Sequence, residues 1–427
     1  MENLNKTYFN LLKQNLGIKQ DVIKMFCPQS GQDGNVIPYS ISNQDIMSEF
    51  NVTQYNEIKN KSYSPEPLSL NIIKMQAGLG SSVKRDDVIK TYDQRYTLGA
   101  KCTDLFLPVD GKYKSISELQ LIQAIGLEKE PSLSEITYTN LVNEETKEVV
   151  NADWKKTYQK NTTYNEYFSH SKKLHHGQDI FQEKMPTIGQ DGELTTERMA
   201  PAGHGFIGIR ELVKVFNTPE PTQVTVIGNG EDLNSTPELP LIHWVVENDI
   251  PVVMITTTKT KDDLKGGQIS LLNQKNKNYL TIVEKAQAEQ SNQLQYFEDL
   301  GLREGDRRAL FNTNIVIINE QALKKKMKLM EKVKLNKFLK FVSPDVISNV
   351  KEQNGKSFTQ LESALGSVML NLDRFFRREF NEKIVSIVNI DTDDRERFFI
   401  PIKKREDYDC LLSQYEVDIN DYRLVKR

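Results

Sequence analysis

The strongest constraint on the fold is a strand that ends at a glycine turn, a pattern that occurs twice along the chain. Residues 68–75 form a β-rich run that stops before Gly78-Leu79-Gly80, and the run 224–227 leads into a Gly-Asn-Gly turn. Glycine lets backbone N–H groups approach phosphate oxygens closely. A plain strand-to-helix turn places glycines there too, and neither a Gly-Lys-Ser/Thr loop nor the third glycine of a dinucleotide site follows.

Strands and helices alternate along the rest of the chain. Apolar runs at 251–256, 279–283 and 315–318 predict strands, whereas residues 116–125 and 239–247 predict helices. This alternation favours an α/β fold with a mostly parallel mixed sheet covered by helices on both faces.

Three other segments carry weaker signals. Leu11, Leu12, Leu16 and Ile18 lie near helical spacing, and residues 41–50 predict a second helix. Residues 142–188 are polar and poorly periodic, which is typical either of an elaborated loop over a site or of a surface insertion. The lysine-rich residues 321–340 predict a helix with a solvated face.

Charge and composition exclude several classes of protein. The formal charge of -3, from 56 basic and 59 acidic residues, argues against a general surface for nucleic acid. No stretch approaches 18 consecutive apolar residues, and the polar start lacks a secretory signal, so we expect a cytoplasmic protein without a membrane partner. Cys27, Cys102 and Cys410 are odd in number and far apart, which indicates reduced thiols.

A series of short motifs follows the first glycine turn. In order they are Gly99-Ala100-Lys101, residues 199–205 (Met-Ala-Pro-Ala-Gly-His-Gly), Asn229-Gly230-Glu231-Asp232-Leu233, residues 259–267 (Lys-Thr-Lys-Asp-Asp-Leu-Lys-Gly-Gly), residues 283–287 (Val-Glu-Lys-Ala-Gln), Phe311-Asn312-Thr313-Asn314, residues 360–366 (Gln-Leu-Glu-Ser-Ala-Leu-Gly) and residues 399–403 (Phe-Ile-Pro-Ile-Lys).

In that order, over residues 68–415, the series resembles the eukaryotic-type UDP-sugar pyrophosphorylases, typified by UTP–glucose-1-phosphate uridylyltransferase. The resemblance implies a Rossmann-like nucleotidyltransferase domain at 66–325, a small helical segment at 1–65, and an α+β part at 326–427 that completes the active site. It also implies Mg²⁺ as cofactor, with UTP and a sugar 1-phosphate as substrates.

The family's nucleotide side maps onto seven residues and its phosphate-binding lysines onto two. The glycine loop contributes Gln76, Ala77, Gly78 and Gly80, the Gly-His-Gly turn contributes Gly203 and His204, and Gln178 occupies the place of an amide that reads uracil. An amide both donates and accepts hydrogen bonds, which matches an imide edge. The two lysines are Lys101 and Lys403, although residues 403–405 alone are typical of a solvated charge cluster.

The resemblance also assigns the metal and the sugar phosphate. Glu231 and Asp232 follow a strand, where carboxylates hold Mg²⁺, although acids also favour helix starts. The sugar phosphate is assigned to Lys265, Gly266, Gly267, Glu284, Asn312 and Asn314. Residues 265–267 alone are also consistent with a hairpin turn.

The implied reaction joins UTP to a sugar 1-phosphate, most simply glucose 1-phosphate, and releases pyrophosphate. Three departures from the family pattern stand out: Gln76-Ala77 replaces Asn-Gly, Glu231-Asp232 replaces Asp-Asn, and residues 81–98 make a longer link to Lys101. We also expect that the family's C-terminal β-helix is absent, and on that expectation the protein is a monomer.

Alternatives remain open at this stage. The sugar could be N-acetylglucosamine or galactose 1-phosphate, or several sugars. The altered loop and acid pair are also compatible with a catalytically silent nucleotide-sugar binding protein, whereas a glycosyltransferase has no use for a second phosphate-directed lysine.

Overall fold

The computed structural model describes most of the chain beyond residue 50 and two short strands before it. The described residues are 25–26, 35–38, 50, 52–63, 66–80, 83–92, 99–160, 173–260, 263, 266–290, 292–301, 309–353 and 356–427.

The strands, in chain order, are β1 Met25–Phe26, β2 Asn35–Pro38, β3 Val52–Gln54, β4 Leu68–Met75, β5 Phe106–Val109, β6 Lys112–Ser115, β7 Leu133–Val142, β8 Leu174–His176, β9 Ile180–Phe181, β10 Lys184–Ile188, β11 Leu194–Pro201, β12 Gln223–Asn229, β13 Val252–Thr258, β14 Gln268–Gln274, β15 Lys277–Val283, β16 Leu310–Asn319, β17 Val346–Gln353, β18 Lys356–Ser363, β19 Val385–Ile390, β20 Tyr415–Val417 and β21 Leu424–Lys426.

The α-helices are α1 Asp86–Tyr92, α2 Lys101–Asp104, α3 Ile116–Gly126, α4 Lys147–Lys160, α5 Gly205–Asn217, α6 Leu239–Glu247, α7 Lys285–Gln290, α8 Leu294–Gly301, α9 Glu320–Met327, α10 Leu335–Val342, α11 Leu365–Glu379 and α12 Arg405–Gln414. Short 3₁₀ turns lie at Tyr55–Glu57, Leu127–Lys129, Lys328–Met330 and Arg395–Arg397.

A mixed sheet forms the centre of the molecule. Within the described residues it contains 13 strands, and its main path runs β1-β2-β14-β16-β12-β4-β7-β8. The strands β4, β7 and β12 are mutually parallel, as are β13 and β19, whereas β16 runs antiparallel between β12 and β13. The fold is therefore α/β with a mostly parallel mixed sheet, as the sequence predicts.

Alternate residues of the central strands face opposite layers of helices. Leu70 and Ile72 of β4 pack in one buried cluster, whereas Ile73 and Met75 pack in another. In a strand successive side chains point to opposite faces, so a sheet covered on both faces reads as a continuous apolar run. This explains why the central strands are visible in the sequence.

Smaller elements complete the fold. β11, β10, β18 and β17 form a four-stranded sheet, and β5–β6 and β20–β21 form two hairpins. Hairpin β5–β6 shares a third buried cluster with the segment around Lys403, including Leu105, Phe106, Ile402 and Tyr408.

The structure confirms the strands and helices predicted between residues 68 and 318 and corrects three weaker predictions. Within 1–65, the described residues form strands β1, β2 and β3 and one 3₁₀ turn rather than helices, because β2 and β3 pair with β14 and β19. Residues 11–18 and 41–49 lie outside the described residues.

The other two corrections concern polar segments. Residues 321–340 are two helices, α9 and α10, separated by a 3₁₀ turn. The described part of 142–188, which omits residues 161–172, contains helix α4 and strands β8 to β10, so it is more regular than its polarity suggested. In the part of the chain that the structure describes, no helix has the length and hydropathy needed to cross a membrane.

Candidate active site

The glycine loop 76–80 lies where parallel strands end at one edge of the sheet. It follows β4, and the neighbouring strands β12 and β7 end beside it at Asn229 and Val142. A β-carbon at Gly230 would collide with the carbonyl oxygen of Met75, so the two strand ends approach as closely as glycine permits. Ligands of open α/β sheets bind at this carboxyl edge.

Within this loop, Gln76 and Ala77 form the base and Gly78 the exposed part. Gln76 is 2% exposed and its amide Nε2 donates to Gln120 Oε1 at 3.0 Å. The carbonyl of Ala77 accepts from Asn143 Nδ2 at 2.8 Å. Gly78 is exposed, and a β-carbon there would have no neighbouring atom within 4 Å. Open space for a ligand therefore lies beside Gly78, whereas Gln76 belongs to the framework.

Lys101 is held against the same loop. Its backbone N–H donates to the carbonyl of Gly78 at 2.9 Å. Its side chain passes over Gly80, where a β-carbon would lie 2.7 Å from Lys101 Cγ, and Gly80 has a φ of +62°. Its ammonium lies 3.4 Å from Glu231 Oε1. The structure thus brings together the glycine loop, the lysine and the acidic turn.

The Gly203-His204 turn starts helix α5. Gly203 has a φ of +75°, and a β-carbon there would lie 2.5 Å from the carbonyl oxygen of Ser363. The missing side chain therefore makes room for the chain at Ser363 rather than for a ligand. Burial lowers the pKa of the His204 imidazole, and the nearby Glu231 carboxylate opposes this shift.

The structure does not place Gln178 at this turn. Gln178 is exposed beside β7, between strands β8 and β9. Gln182 lies there instead, since its amide Nε2 donates to the carbonyl of Gly203 at 3.2 Å. Gln178 and Gln182 lie four positions apart in a loosely patterned segment, so the sequence alone does not show which of them lies at the turn.

The two acids after β12 have different surroundings. The Glu231 side chain is 28% exposed and faces Lys101. Burial alone would raise the pKa of the Glu231 carboxyl, but the Lys101 and His204 charges and a backbone hydrogen bond hold it below its usual range.

Asp232 points into the protein. It is fully buried, and its two oxygens accept from the backbone N–H groups of Asn234 and Ile400, both at 3.1 Å. Burial raises the pKa of the Asp232 carboxyl and lowers that of the neighbouring Lys74 ammonium. The two predicted metal ligands therefore differ, because both Asp232 oxygens accept backbone hydrogen bonds and are shielded from solvent, whereas Glu231 is partly exposed. Among the described residues, no group of three or more His, Cys, Asp or Glu side chains could hold a metal ion alone.

The predicted sugar-phosphate residues also converge. A β-carbon at Gly267 would collide with Glu284 Oε1, and the carbonyl of Gly267 accepts from the backbone of Asn312 at 2.9 Å. Asn312 Nδ2 donates to Asn314 Oδ1 at 2.8 Å. Burial raises the pKa of the Glu284 carboxyl to about 7, against the opposing effect of Lys403. Gly266 packs against Phe311, whereas Lys265 lies outside the described residues.

Lys403 connects the two halves of the site. Its ammonium lies 5.1 Å from the centre of the Phe311 ring. Burial lowers the pKa of this ammonium, and the carboxylates of Asp263, Glu284 and Glu231 oppose that shift, whereas Lys101 adds to it. Lys403 therefore lies within electrostatic reach of both the acidic turn and the predicted sugar-phosphate residues.

Two further charged contacts support this region and were not singled out from the sequence. Arg395 makes a two-bond ion pair with Asp263, with both N–O distances at 2.6 Å, which ties the 259–267 motif to the segment that carries Lys403. Lys259 is fully buried, donates to Gln268 at 2.9 Å and lies 3.8 Å from the Phe297 ring centre. The sequence does not distinguish Arg395 and Lys259 from other charged residues, because their partners are known only from the structure.

A sequence profile of UTP–glucose-1-phosphate uridylyltransferase matches residues 143–424, about two thirds of the chain. The chain belongs to this family. The matched span includes His204, Glu231 and Lys403 but begins after the glycine loop and Lys101. The altered glycine loop and the long link to Lys101 therefore lie before the residues that match the uridylyltransferase family.

Similar proteins carry the same name or a related one. The UTP–glucose-1-phosphate uridylyltransferase of Encephalitozoon cuniculi (strain GB-M1) is 28% identical over 197 residues, which are 44% of this chain and 36% of that protein. The matched segment therefore spans little more than a third of that relative's length.

Solved structures show the same fold over nearly the whole chain. A UDP-glucose phosphorylase from Trypanosoma brucei has a TM-score of 0.63 at 18% identity and covers 98% of this chain and 77% of its own. A mutant UDP-glucose pyrophosphorylase from Leishmania major in complex with UDP-glucose has a TM-score of 0.63 at 19% identity, with coverages of 97% and 77%.

Proposed function

We propose that this chain catalyses the formation of a UDP-sugar and pyrophosphate from UTP and a sugar 1-phosphate, with glucose 1-phosphate as the sugar substrate. The observation that carries the proposal is the convergence of Lys101, Lys403 and Glu231 at the glycine-loop edge of the sheet. The family membership and the names of the relatives support glucose as the sugar.

The chemistry needs fixed positive charge more than a general base. A phosphate oxygen of the sugar phosphate attacks the α-phosphorus of UTP and pyrophosphate leaves on the opposite side. The nucleophile is already anionic, so the barrier comes from repulsion between highly charged groups. Lys101, held over Gly80, and Lys403, held over Phe311, are two cations positioned before the reaction, which is the arrangement that lowers such a barrier.

The nucleotide is proposed to bind over Gly78. The open space there allows the backbone to approach phosphates or ribose, and Gln182 at the Gly203 turn offers an amide to the uracil edge. His204 sits next to this amide, and the burial that lowers its pKa favours a neutral imidazole that can donate or accept one hydrogen bond.

The sugar is proposed to contact Glu284, Asn312 and Asn314. These side chains lie around Gly267, on the Lys403 side of the site. Amides and a carboxyl group provide both donors and acceptors for hydroxyl groups.

Mg²⁺ is part of the proposal, with Glu231 as its protein ligand. Magnesium is usually held by one or two carboxylates together with substrate phosphates and water, so the single, partly exposed Glu231 carboxylate fits, whereas the buried Asp232 does not. When bound, the ion would neutralise phosphate charge. Glu231 would then exchange its contact with Lys101 for the metal and leave the ammonium available to phosphate.

Pyrophosphate release from UTP and Mg²⁺ with a panel of sugar 1-phosphates tests the proposal. Turnover with glucose 1-phosphate is the expected result, and a strong preference for another sugar would change the substrate. UTP or UDP-glucose binding without turnover with any sugar would favour a silent nucleotide-sugar binding protein, which the altered Gln76-Ala77 loop keeps as the second candidate.

A further inference from the structure

The segment 83–92, between the glycine loop and Lys101, contacts both lysine-bearing parts of the site. We call residues 99–104 the Lys101 arm and residues 395–414 the Lys403 arm. Val83 and Val88 of the segment are buried in one cluster with Leu105 next to the first arm and with Ile402 and Tyr408 of the second. The segment is therefore packed into the core between the arms.

Arg85 joins the segment to the glycine loop and to the Lys101 arm. Its side chain is 1% exposed. The guanidinium donates to the carbonyls of Leu79, Gly80 (2.7 Å) and Gly99 (3.1 Å), and to Asp104 Oδ2 at 2.9 Å. The same Asp104 oxygen accepts from the backbone N–H of Gly99 at 2.8 Å.

These bonds fix the chain immediately before and after residues 81–98. Gly80 is the residue over which the Lys101 side chain passes, and Gly99 begins the arm that carries it. A planar guanidinium with five donors is suited to hold several acceptors in one geometry. Arg85 thus fixes the backbone at Gly99, which precedes Lys101, and at Gly80, against which the Lys101 side chain packs.

Asp87 joins the segment to the Lys403 arm. Its carboxylate accepts from both terminal nitrogens of Arg405, at 2.8 and 3.1 Å. Arg405 also donates to the carbonyl of Lys84 at 2.9 Å. Arg405 begins helix α12, two residues after Lys403.

We propose that Arg85 and Asp87 are positioning residues that brace the Lys101 arm against the Lys403 arm and so fix the two ammonium groups relative to each other. The inference rests on the proposed function, in which both cations act on the same phosphates. Two like charges separate unless the backbone holds them, and catalysis by fixed charge requires that they be in place before the reaction.

The structure supplies a matched pair of variants for the test. Asp87 and Asp409 are both exposed, and both pair with Arg405, but Asp409 lies four residues along the same helix and joins nothing to the Lys101 arm. Asp87→Ala and Asp409→Ala remove the same charge near the same arginine. Exposed pairs of this kind contribute little to stability, so both variants should fold.

We expect Asp87→Ala to lower kcat for pyrophosphate release about tenfold or more, since small displacements of catalytic groups have effects of this order. UTP affinity measured by calorimetry should change by less than about threefold, because the glycine loop remains in place. Asp87→Glu should restore most of the rate. Asp409→Ala should leave kcat near the wild-type value.

An equal decrease of kcat in Asp87→Ala and Asp409→Ala, or an unchanged kcat in Asp87→Ala, would overturn the proposed positioning role. Arg85→Lys keeps the positive charge but loses the planar set of donors, and it should lower kcat in the same way. If this variant does not fold, the comparison of Asp87→Ala with Asp409→Ala still tests the proposal. If the wild-type protein shows no turnover, the proposed function fails, and hydrogen exchange then tests whether Asp87 holds the Lys101 arm in place. Faster exchange of the amides of residues 99–104 in Asp87→Ala than in Asp409→Ala supports it, and equal exchange overturns it.

Discussion

The stem of the Lys101 side chain lies directly over Gly80. A β-carbon at Gly80 would be 2.7 Å from Lys101 Cγ and 3.0 Å from Lys101 Cβ and Cδ. Gly80 also has a φ of +62°, in the left-handed region that residues with a side chain rarely adopt. The glycine is therefore required by the lysine and by its own backbone, independently of any ligand.

Substitution of the two loop glycines should separate these roles. Gly80→Ala should displace Lys101 and destabilise the protein by about 1–2 kcal/mol, with a loss of kcat of about tenfold or more. The β-carbon added by Gly78→Ala has no neighbouring atom within 4 Å. This substitution should therefore leave the thermal midpoint nearly unchanged while it weakens UTP binding. Thermal unfolding and UTP calorimetry on both variants measure this. Unchanged UTP affinity in Gly78→Ala would mean that the nucleotide does not bind over this glycine.

Lys403→Ala should reduce turnover by about 10²–10³-fold, because it removes a partly buried cation that is fixed before the reaction. The fold should remain, since the ammonium lies at the site and not in the apolar core. Lys404→Ala is the matched control, because Lys404 is the exposed next residue. Steady-state pyrophosphate release gives both rates. A near-normal rate in Lys403→Ala would remove this lysine from the mechanism.

Glu231→Gln should raise the Mg²⁺ concentration needed for half-maximal turnover by about tenfold, the usual effect of losing one carboxylate ligand or its support. Asp232→Asn should not change it. That substitution should instead lower the free energy of unfolding by about 1–3 kcal/mol, because an amide cannot accept from both backbone N–H groups. A Mg²⁺ titration of activity and a urea titration distinguish the two effects. A shifted Mg²⁺ requirement in Asp232→Asn would restore the acid pair as metal site.

The central sheet was predictable because its strands are buried on both faces. The runs that became β4, β12 and β13 are rich in Val, Ile, Leu and Met, and such short apolar runs next to glycine or proline favour strands. The early strands β2 and β3 were not predictable in this way. They are short, and their position depends on free edges at β14 and β19 that are formed by distant residues.

The site was predictable as a set of motifs but not as a set of roles. Sequence order places Glu231 and Asp232 side by side, yet successive residues point in different directions, and only the fold shows that Asp232 is bonded to Ile400, 168 positions later. The same limit applies to Arg85 and Arg395. Each is one arginine among many until its acceptors are known.

Gln182→Ala should weaken UTP binding more than Gln178→Ala. Gln182 donates to the carbonyl of Gly203, beside His204, whereas Gln178 is exposed beside β7. Loss of one amide that reads a base is worth about 1–2 kcal/mol, or roughly tenfold in affinity. Calorimetry with UTP and with CTP measures both affinity and base discrimination. A larger effect of Gln178→Ala would return the base-reading role to that residue.

Glu284→Gln should change how stability depends on pH. Burial raises the pKa of the folded carboxyl to about 7, whereas an ordinary glutamate has a pKa of 4.5. Between these values the folded protein retains a proton that the unfolded chain releases, so the free energy of unfolding falls as pH rises from about 4.5 to 7, by at most about 3 kcal/mol. The glutamine amide is uncharged, like the protonated carboxyl group. The free energy of unfolding of Glu284→Gln should therefore not fall in this way as pH rises. The variant should therefore match the wild-type thermal midpoint near pH 5 and exceed it at pH 8, whereas Glu289→Gln, at an exposed carboxylate on α7, should follow the wild-type curve at both. Parallel curves for the wild type and Glu284→Gln would show that this carboxyl is ionised in the folded protein throughout the range.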